Sequence, residues 1–282
     1  MQAYRSMPIL TQAPSSELRA RVPHHLVGFL SPRKEFNAAL FVLKASRLID
    51  RLSASHKVPL VVGGAGLYYT ALLDGLFKGP GENSDVRRRL EREAALKGTR
   101  ALYSRLKDQD PQAAATIHLN DLRRLVRALE VIQLTRKKIS QIRSDRKGLW
   151  DPLRCWIYGL RLDRSTLYHR IEERVDRMFD RGLLLEARKV LGMGLSKTAR
   201  MCLGLREAQA YLDGQLTLEG YRNLLKQKTR QFAKRQIAWF KRDPRIRWID
   251  VKEPMTPQAI ADVILRDHEK KAVPDKRWSK PF

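Results

Sequence analysis

The chain has 282 residues, 43% of them apolar, enough to bury the core of one large domain. Fifty-six Lys and Arg against 30 Asp and Glu leave a formal charge of +26, far more than solubility needs, so a polyanionic partner is the first expectation. Cys155 and Cys202 form neither a metal-ligand pattern nor a disulfide framework, and no run of about 18 apolar residues argues for a membrane span. With no apolar segment of signal-peptide length near Met1 either, a cytoplasmic protein without a membrane partner is expected.

Residues 1–35 are rich in Pro and polar side chains, with "VPHHLVGFLSPRKEF" reading as loop before a helix. Leu40, Val42, Leu43, Leu48 and Ile49 predict a helix packed on one side over Asn37–Arg51. The apolar run Val58–Val62 predicts a strand. It ends in Gly-Gly-Ala-Gly before an amphipathic helix, the order that builds ligand sites at the carboxyl edge of a parallel sheet. Over 84–148 the segments are short, charged and helix-forming. Asn83 or Ser84 can cap a helix beginning at Asp85, Asp110-Pro111 starts another, and Asn120 or Asp121 a third. "LRCWIYGLRL", Leu153–Leu162, returns to strand character. Leu167, Ile171, Val175 and Met178 give Arg164–Leu191 helical spacing, with Gly182 as a break. Further helices are expected over Leu218–Lys241 and from Thr256-Pro257, and the tail "KKAVPDKRWSKPF" reads as disordered. The organisation that follows is an α/β core over 1–83 and 149–254, a helical insertion over 84–148, and a C-terminal helix with a basic tail over 255–282.

The densest basic stretch is "YRNLLKQKTRQFAKRQIAWFKRDPR". Arg222, Lys226, Arg230 and Lys234 recur every four residues, a row along one helix face, while Leu225, Phe232 and Trp239 lie on an adjoining face. The helix is expected to dock by its apolar side, Trp239 and Phe240 in the core, and to present its cations outward to phosphates. A second cationic helix, "NDLRRLVRALEVIQLTRKK", places Arg123, Arg124 and Arg127 at its start. His24 and His25 have no acidic or Cys neighbour, which favours capping and packing over metal ligation.

"MQAYRSMPI", "PHHL", "VGGAGLYYTALLDG", "NDLRRLVRALEV", "LYHRIEERVDRM", "GLREAQAYLDG" and "TRQFAKRQIAWF" are similar, in order and spacing, to motifs of bacterial tRNA dimethylallyltransferases. The resemblance runs from Met1 to about Asp250. It implies a P-loop-NTPase-like parallel sheet with a helical insertion. The implied activity is transfer of a dimethylallyl group from dimethylallyl diphosphate to the N6 amine of the adenosine 3′ to the anticodon, a base that must leave its stack. The implied partner is the tRNA anticodon stem-loop, the implied cofactor Mg²⁺, and the implied state a monomer.

By position, the resemblance assigns tRNA contacts to Gln2, Ala65, Arg87, Arg123, Arg124, Arg127, Met201, Gly204, Arg206, Lys234, Arg235, Gln236 and Trp239. Ala65 stands where the family has Thr, Arg123 where Gln is usual, and Leu205 where Tyr is usual. Arg174 matches a channel arginine that offsets diphosphate charge, with Arg170 as the competing choice. In the family a Gly-rich phosphate loop and an Asp-Ser pair precede the "MQAYR" motif. The resemblance therefore implies that the diphosphate cradle, the Mg²⁺ site and the general base lie upstream of Met1, and that this chain is a fragment with little activity alone. A non-catalytic tRNA-binding protein of the same fold, a prenyltransferase of free adenine nucleotides and a small-molecule kinase are the alternatives. The charge and the "TRQFAKRQ" helix favour tRNA over the last two.

Overall fold

The computed structural model describes residues 1–76, 79–144, 147–150, 153 and 155–271. The chain divides into two compact units, Met1–Tyr69 with Arg154–Phe282, and Thr70–Leu153. In chain order the first part holds α1 (Pro8–Thr11), α2 (Ser16–Arg21), α3 (Ala38–Ala54) and α4 (Gly66–Leu73), the last running into the second unit. The second unit continues with α5 (Ser84–Lys97), α6 (Thr99–Gln109), α7 (Pro111–Ala114), α8 (Leu122–Thr135) and α9 (Ile139–Ser144). The first unit resumes with β1 (Ile157–Arg161), α10 (Arg164–Asp180), α11 (Leu183–Leu191), α12 (Leu205–Leu212), α13 (Leu218–Phe240), β2 (Ile246–Asp250) and α14 (Pro257–Lys271).

Side-chain caps start most of these helices. The Asn37 carboxamide accepts from the Leu40 amide, Asn83 from Asp85 and Val86, Asp121 from Arg124, and Thr217 from Gly220. Gly182, at φ +91°, separates α10 from α11. In the first unit Met7, Leu10, Val175, Met178, Leu183, Val190, Leu205, Tyr221 and Leu225 form one buried cluster. Leu90, Leu102, Leu106, Leu125, Leu129 and Ile139 form the core of the second. The helical segment expected over 84–148 falls inside Thr70–Leu153. The expected C-terminal helix is α14, and the tail beyond Lys271 lies outside the described residues. No described helix is long and apolar enough to cross a membrane.

The α/β expectation holds in coarse outline, and one of its strands needs correction. Among the described residues the chain is helical with one two-stranded parallel sheet, in which Ile157 to Arg161 pair with Ile246 to Asp250. Val58–Val62 is not a strand. A strand needs a neighbour to satisfy its amides and cover its side chains, and no described segment pairs with this run. Val58, Leu60, Val61 and Val62 are accordingly 82%, 82%, 60% and 92% exposed.

Candidate nucleic-acid interface

The basic row of α13 does not point outward as its spacing suggests. Facing it, α10 carries Glu172 and Asp176 four residues apart, on one side of that helix. Arg222 (3.3 Å) and Lys226 (2.8 Å) both bond Asp176, and Arg230 bonds Glu172 at 2.5 Å. The Arg222 guanidinium also lies 4.9 Å from the Phe179 ring centre. Three of the four cations thus form the α10–α13 seam. Lys234, at the end of the row, is exposed and has no ion-pair partner among the described residues.

The aromatic expectation is corrected as well. Leu225 is buried, but Phe232 and Trp239 remain 44% and 39% exposed. Phe240 packs edge-on against Tyr69, with ring centres 5.3 Å apart. The glycine turn meets this end of α13. Gln236 Nε2 donates to the Gly64 carbonyl at 2.9 Å, and the Trp239 indole covers Gly66 so closely that a Cβ there would lie 2.4 Å from Cδ1. Glycine is required at 66 by this approach, and Ala65 beside it is exposed.

Arg174 keeps exposed surface, yet its guanidinium is partly shut off from water. That desolvation, with the neighbouring Arg177 charge, lowers its pKa from the usual arginine range. It has no hydrogen-bond or ion-pair partner among the described residues. Arg170, the competing choice, is engaged by Glu253 at 2.8 and 3.0 Å.

The motif around Met201 is positioned by two residues that sequence reasoning did not single out. The Glu35 carboxylate accepts from the Lys197 amide (2.8 Å), the Thr198 amide (3.3 Å) and the Thr198 hydroxyl (2.7 Å). The Thr198 hydroxyl also lies 2.6 Å from Tyr4 Oη and accepts from the Phe36 amide at 3.1 Å. The Thr198 hydroxyl, foremost among these contacts, lowers the Glu35 pKa. This network ties the Met1–Tyr4 segment to the turn that leads into Met201. Met201 itself is 64% exposed, while Gln2 donates its side-chain amide to the Gln12 carbonyl at 2.7 Å. Gly204, at φ +94°, opens α12; its amide donates to Glu207 at 3.1 Å and its carbonyl accepts from Tyr221 Oη at 3.0 Å. Leu205 is buried, so its side chain serves the core. Beside it Arg206 is exposed and has no partner among the described residues; it forms one wall of a recess of about 430 Å³ whose other walls include Glu207, Gln215, Leu224 and Lys228.

In the second unit Glu130 is a hub. Its fully buried carboxylate accepts from the Asn83 amide (2.8 Å), from Arg87 at 3.0 Å through both Nε and Nη2, and from Arg127 (2.6 Å). Arg127 reaches on to the Pro80 carbonyl at 2.8 Å, and Arg87 to Glu82 at 2.8 Å. These two expected tRNA contacts therefore brace the fold around Glu130. Arg124 pairs with the capping Asp121 at 3.2 Å, and Arg123 is exposed without a partner among the described residues. A carboxylate at a core-facing position of "LVRALEV" is the sequence signal that points to such a hub.

No group of three or more His, Cys, Asp or Glu among the described residues could hold a metal ion. The implied Mg²⁺ thus finds no such ligand set here, and no step below is routed through it. His24 Nδ1 lies 2.6 Å from the Val22 carbonyl oxygen, a local backbone contact. Both cysteines are free thiols, and burial pushes that of Cys202 up to about 12.

Residues 2–243 match the family described as IPP transferase. The protein named tRNA dimethylallyltransferase from Geobacter sulfurreducens is 42% identical over 252 residues, covering 89% of this chain and 81% of that protein. Its namesake from Carboxydothermus hydrogenoformans is 44% identical over the same length and shares. Among solved structures, the tRNA isopentenylpyrophosphate transferase of Bacillus halodurans superposes with a TM-score of 0.65 at 34% identity, over 95% of this chain and 86% of that one. A eukaryotic dimethylallyltransferase acting on tRNA gives a TM-score of 0.75 at 24% identity, over 96% and 71% of the two chains, a likeness of fold. A family match over most of its length, with relatives this similar, means that the chain belongs to the IPP transferase family.

Proposed function

We propose that the protein prenylates tRNA in the cytoplasm, transferring a dimethylallyl group from dimethylallyl diphosphate to the N6 amine of the adenosine 3′ to the anticodon. The observation that carries this is Arg174, a partly desolvated guanidinium with no carboxylate partner among the described residues, in a chain whose named relatives are tRNA dimethylallyltransferases. In the reaction the N6 lone pair forms the new C–N bond at the allylic carbon, the C–O bond to diphosphate breaks, and the amine proton passes to a base. Arg174 offsets the charge that develops on the departing diphosphate. Arg123, Arg206, Lys234 and Arg235 are cations without a carboxylate partner among the described residues and suit RNA phosphates. Gln2, Ala65, Arg87, Arg124, Arg127, Met201, Gly204, Gln236 and Trp239 complete the proposed tRNA contacts, Arg87 and Arg127 also serving the fold.

The proton acceptor and the diphosphate cradle are assigned to a P-loop-type segment encoded before Met1. The exposed run Val58–Val62, apolar and without a pairing partner among the described residues, supports a further strand beside it. With that run covered, a monomer is proposed. Assay of prenylated adenosine, with and without the residues encoded immediately upstream in the same frame, tests this. The extended chain is expected to turn over and the 282-residue chain to give little or none; in the extended chain Arg174→Gln lowers kcat about 100-fold. Equal turnover by both chains overturns the upstream placement, an unchanged kcat overturns the role of Arg174, and tRNA binding without turnover in the extended chain overturns the activity.

A further inference from the structure

Stretches of chain far apart in sequence meet around the Thr198 hydroxyl. It donates to Glu35 Oε2 at 2.7 Å, accepts from the Phe36 amide at 3.1 Å and lies 2.6 Å from Tyr4 Oη. Valence fixes the direction of each bond. A hydroxyl has one proton and two lone pairs, and an ionised carboxylate only accepts. The Glu35 carboxyl is held below the usual glutamate range, foremost by this hydrogen bond, so Thr198 spends its proton there and Tyr4 donates. Phe36 carries the network on. Its carbonyl accepts from Tyr68 Oη at 3.1 Å, and its ring meets that of Tyr68 edge-on with centres 5.8 Å apart. Tyr68 belongs to α4, just after the glycine turn.

We infer that Thr198, oriented by Glu35, is a positioning residue for the tRNA side of the reaction, holding Gln2, Ala65 and Met201 in register with one another. The inference rests on the proposed prenylation of tRNA and assigns the seating of the acceptor to a side chain remote from the reacting atoms. Each segment that the network joins carries a proposed tRNA contact: Gln2 beside Tyr4, Ala65 one turn before Tyr68, and Met201 after Thr198. None of these hydrogen bonds reaches Arg174, which is assigned to the diphosphate. Nor is the arrangement a cap alone. Glu35 needs only the Lys197 and Thr198 amides, at 2.8 and 3.3 Å, to close the turn before Met201. The hydroxyl is what extends that turn to Tyr4 and, through Phe36, to α4.

The test is steady-state kinetics of the chain extended by the residues encoded immediately upstream, beside anticodon stem-loop binding by the 282-residue chain. Thr198→Val keeps the shape but orphans the Tyr4 hydroxyl and the Phe36 amide, where among the described residues every buried side-chain nitrogen and oxygen has a partner. It is expected to raise KM for tRNA and the stem-loop Kd about tenfold, leaving kcat and KM for dimethylallyl diphosphate within about twofold. Thr198→Ser keeps the hydroxyl and is expected to restore both to within about twofold. Glu35→Gln, at an exposed position, offers a donor where the hydroxyl needs an acceptor, and is expected to raise KM for tRNA about threefold even if Thr198→Val fails to fold. Adding Tyr4→Phe to Thr198→Val removes the orphaned phenol, so Tm rises while KM for tRNA stays high, a separation that a merely structural residue would not give. An unchanged KM for tRNA in Thr198→Val or Glu35→Gln, an equal rise for both substrates, no rescue by serine, or recovery of KM together with Tm overturns the role. Stem-loop binding without turnover in the extended chain overturns instead the proposed activity, and the Kd series then decides Thr198. A chain that does not bind the stem-loop overturns both.

Discussion

Glu130 has no exposed surface and accepts from the Asn83 amide, Arg87 and Arg127. Burial alone pushes its carboxyl up, but the Arg87 hydrogen bond, then the Asn83 amide and Arg127, outweigh it and leave the pKa below the usual glutamate value. A folded pKa lower than the unfolded one stabilises the fold above the unfolded value of about 4.3; that contribution is lost as pH falls through the folded pKa. Glu130→Gln keeps the volume and strands two guanidiniums. Because these are 26% and 29% exposed, the expected loss is about 2–3 kcal/mol at pH 7, below the full cost of breaking a buried pair. Urea unfolding of both proteins at pH 7 and pH 4 measures it, and the gap between them is expected to narrow at the lower pH. A gap that widens on acidification would show that Glu130 is not held as a carboxylate. It follows that lost RNA affinity in an Arg87 or Arg127 variant reports recognition only once folding has been measured beside it.

At the scale of elements, the α10–α13 seam makes an opposite distinction. Arg222, Lys226 and Arg230 look like phosphate ligands by spacing, yet Asp176 and Glu172 hold them. Arg230→Gln is expected to cost under about 1 kcal/mol of stability and to leave the salt dependence of RNA binding unchanged, since a partly exposed ion pair contributes little and its cation is already neutralised. A slope that falls by about 0.7 would make Arg230 a phosphate contact after all. Local patterns anticipated these helices well. Asn37, Asn83, Asp110, Asp121 and Thr217 cap helices through their own side chains, and Gly182 separates α10 from α11 where the apolar spacing breaks. Contacts distant in sequence were not legible. Which face of α13 meets α10 depends on acids some fifty residues earlier, at |i−j| of 46, 50 and 58. The Glu35–Thr198 link spans 163 residues and is marked by no local pattern. β2 escaped notice because Arg245 and Arg247 flank Ile246 and interrupt its apolar character. The residue types needed for phosphate contact could be recognised in advance, but which cations were left unpaired could not.

For the molecule as a whole, a charge of +26 repels copies of the chain from one another, whereas the run Val58–Val62 attracts them. Salt screens the first effect and not the second, so self-association is expected to rise with ionic strength. Leu60→Lys with Val62→Lys, at positions 82% and 92% exposed, is expected to suppress it with a Tm shift of less than about 2 °C, because neither side chain contributes much burial. Light scattering at low and high salt, with a thermal melt, checks both. A fall in Tm of many degrees would show that the run is packed in solution and not available to a neighbouring strand.

The closeness of Gly66 to Trp239 constrains how this molecule can vary. A methyl at one position and an indole at the other claim the same volume, with Gln236 in the same relation to Gly64. A side chain at Gly66 therefore forces the indole at the outer end of α13 to yield, and a lesion in the turn would be felt through that helix end as a weaker hold on the nucleic acid. The turn and the helix end can be altered as a matched set, and hardly one at a time.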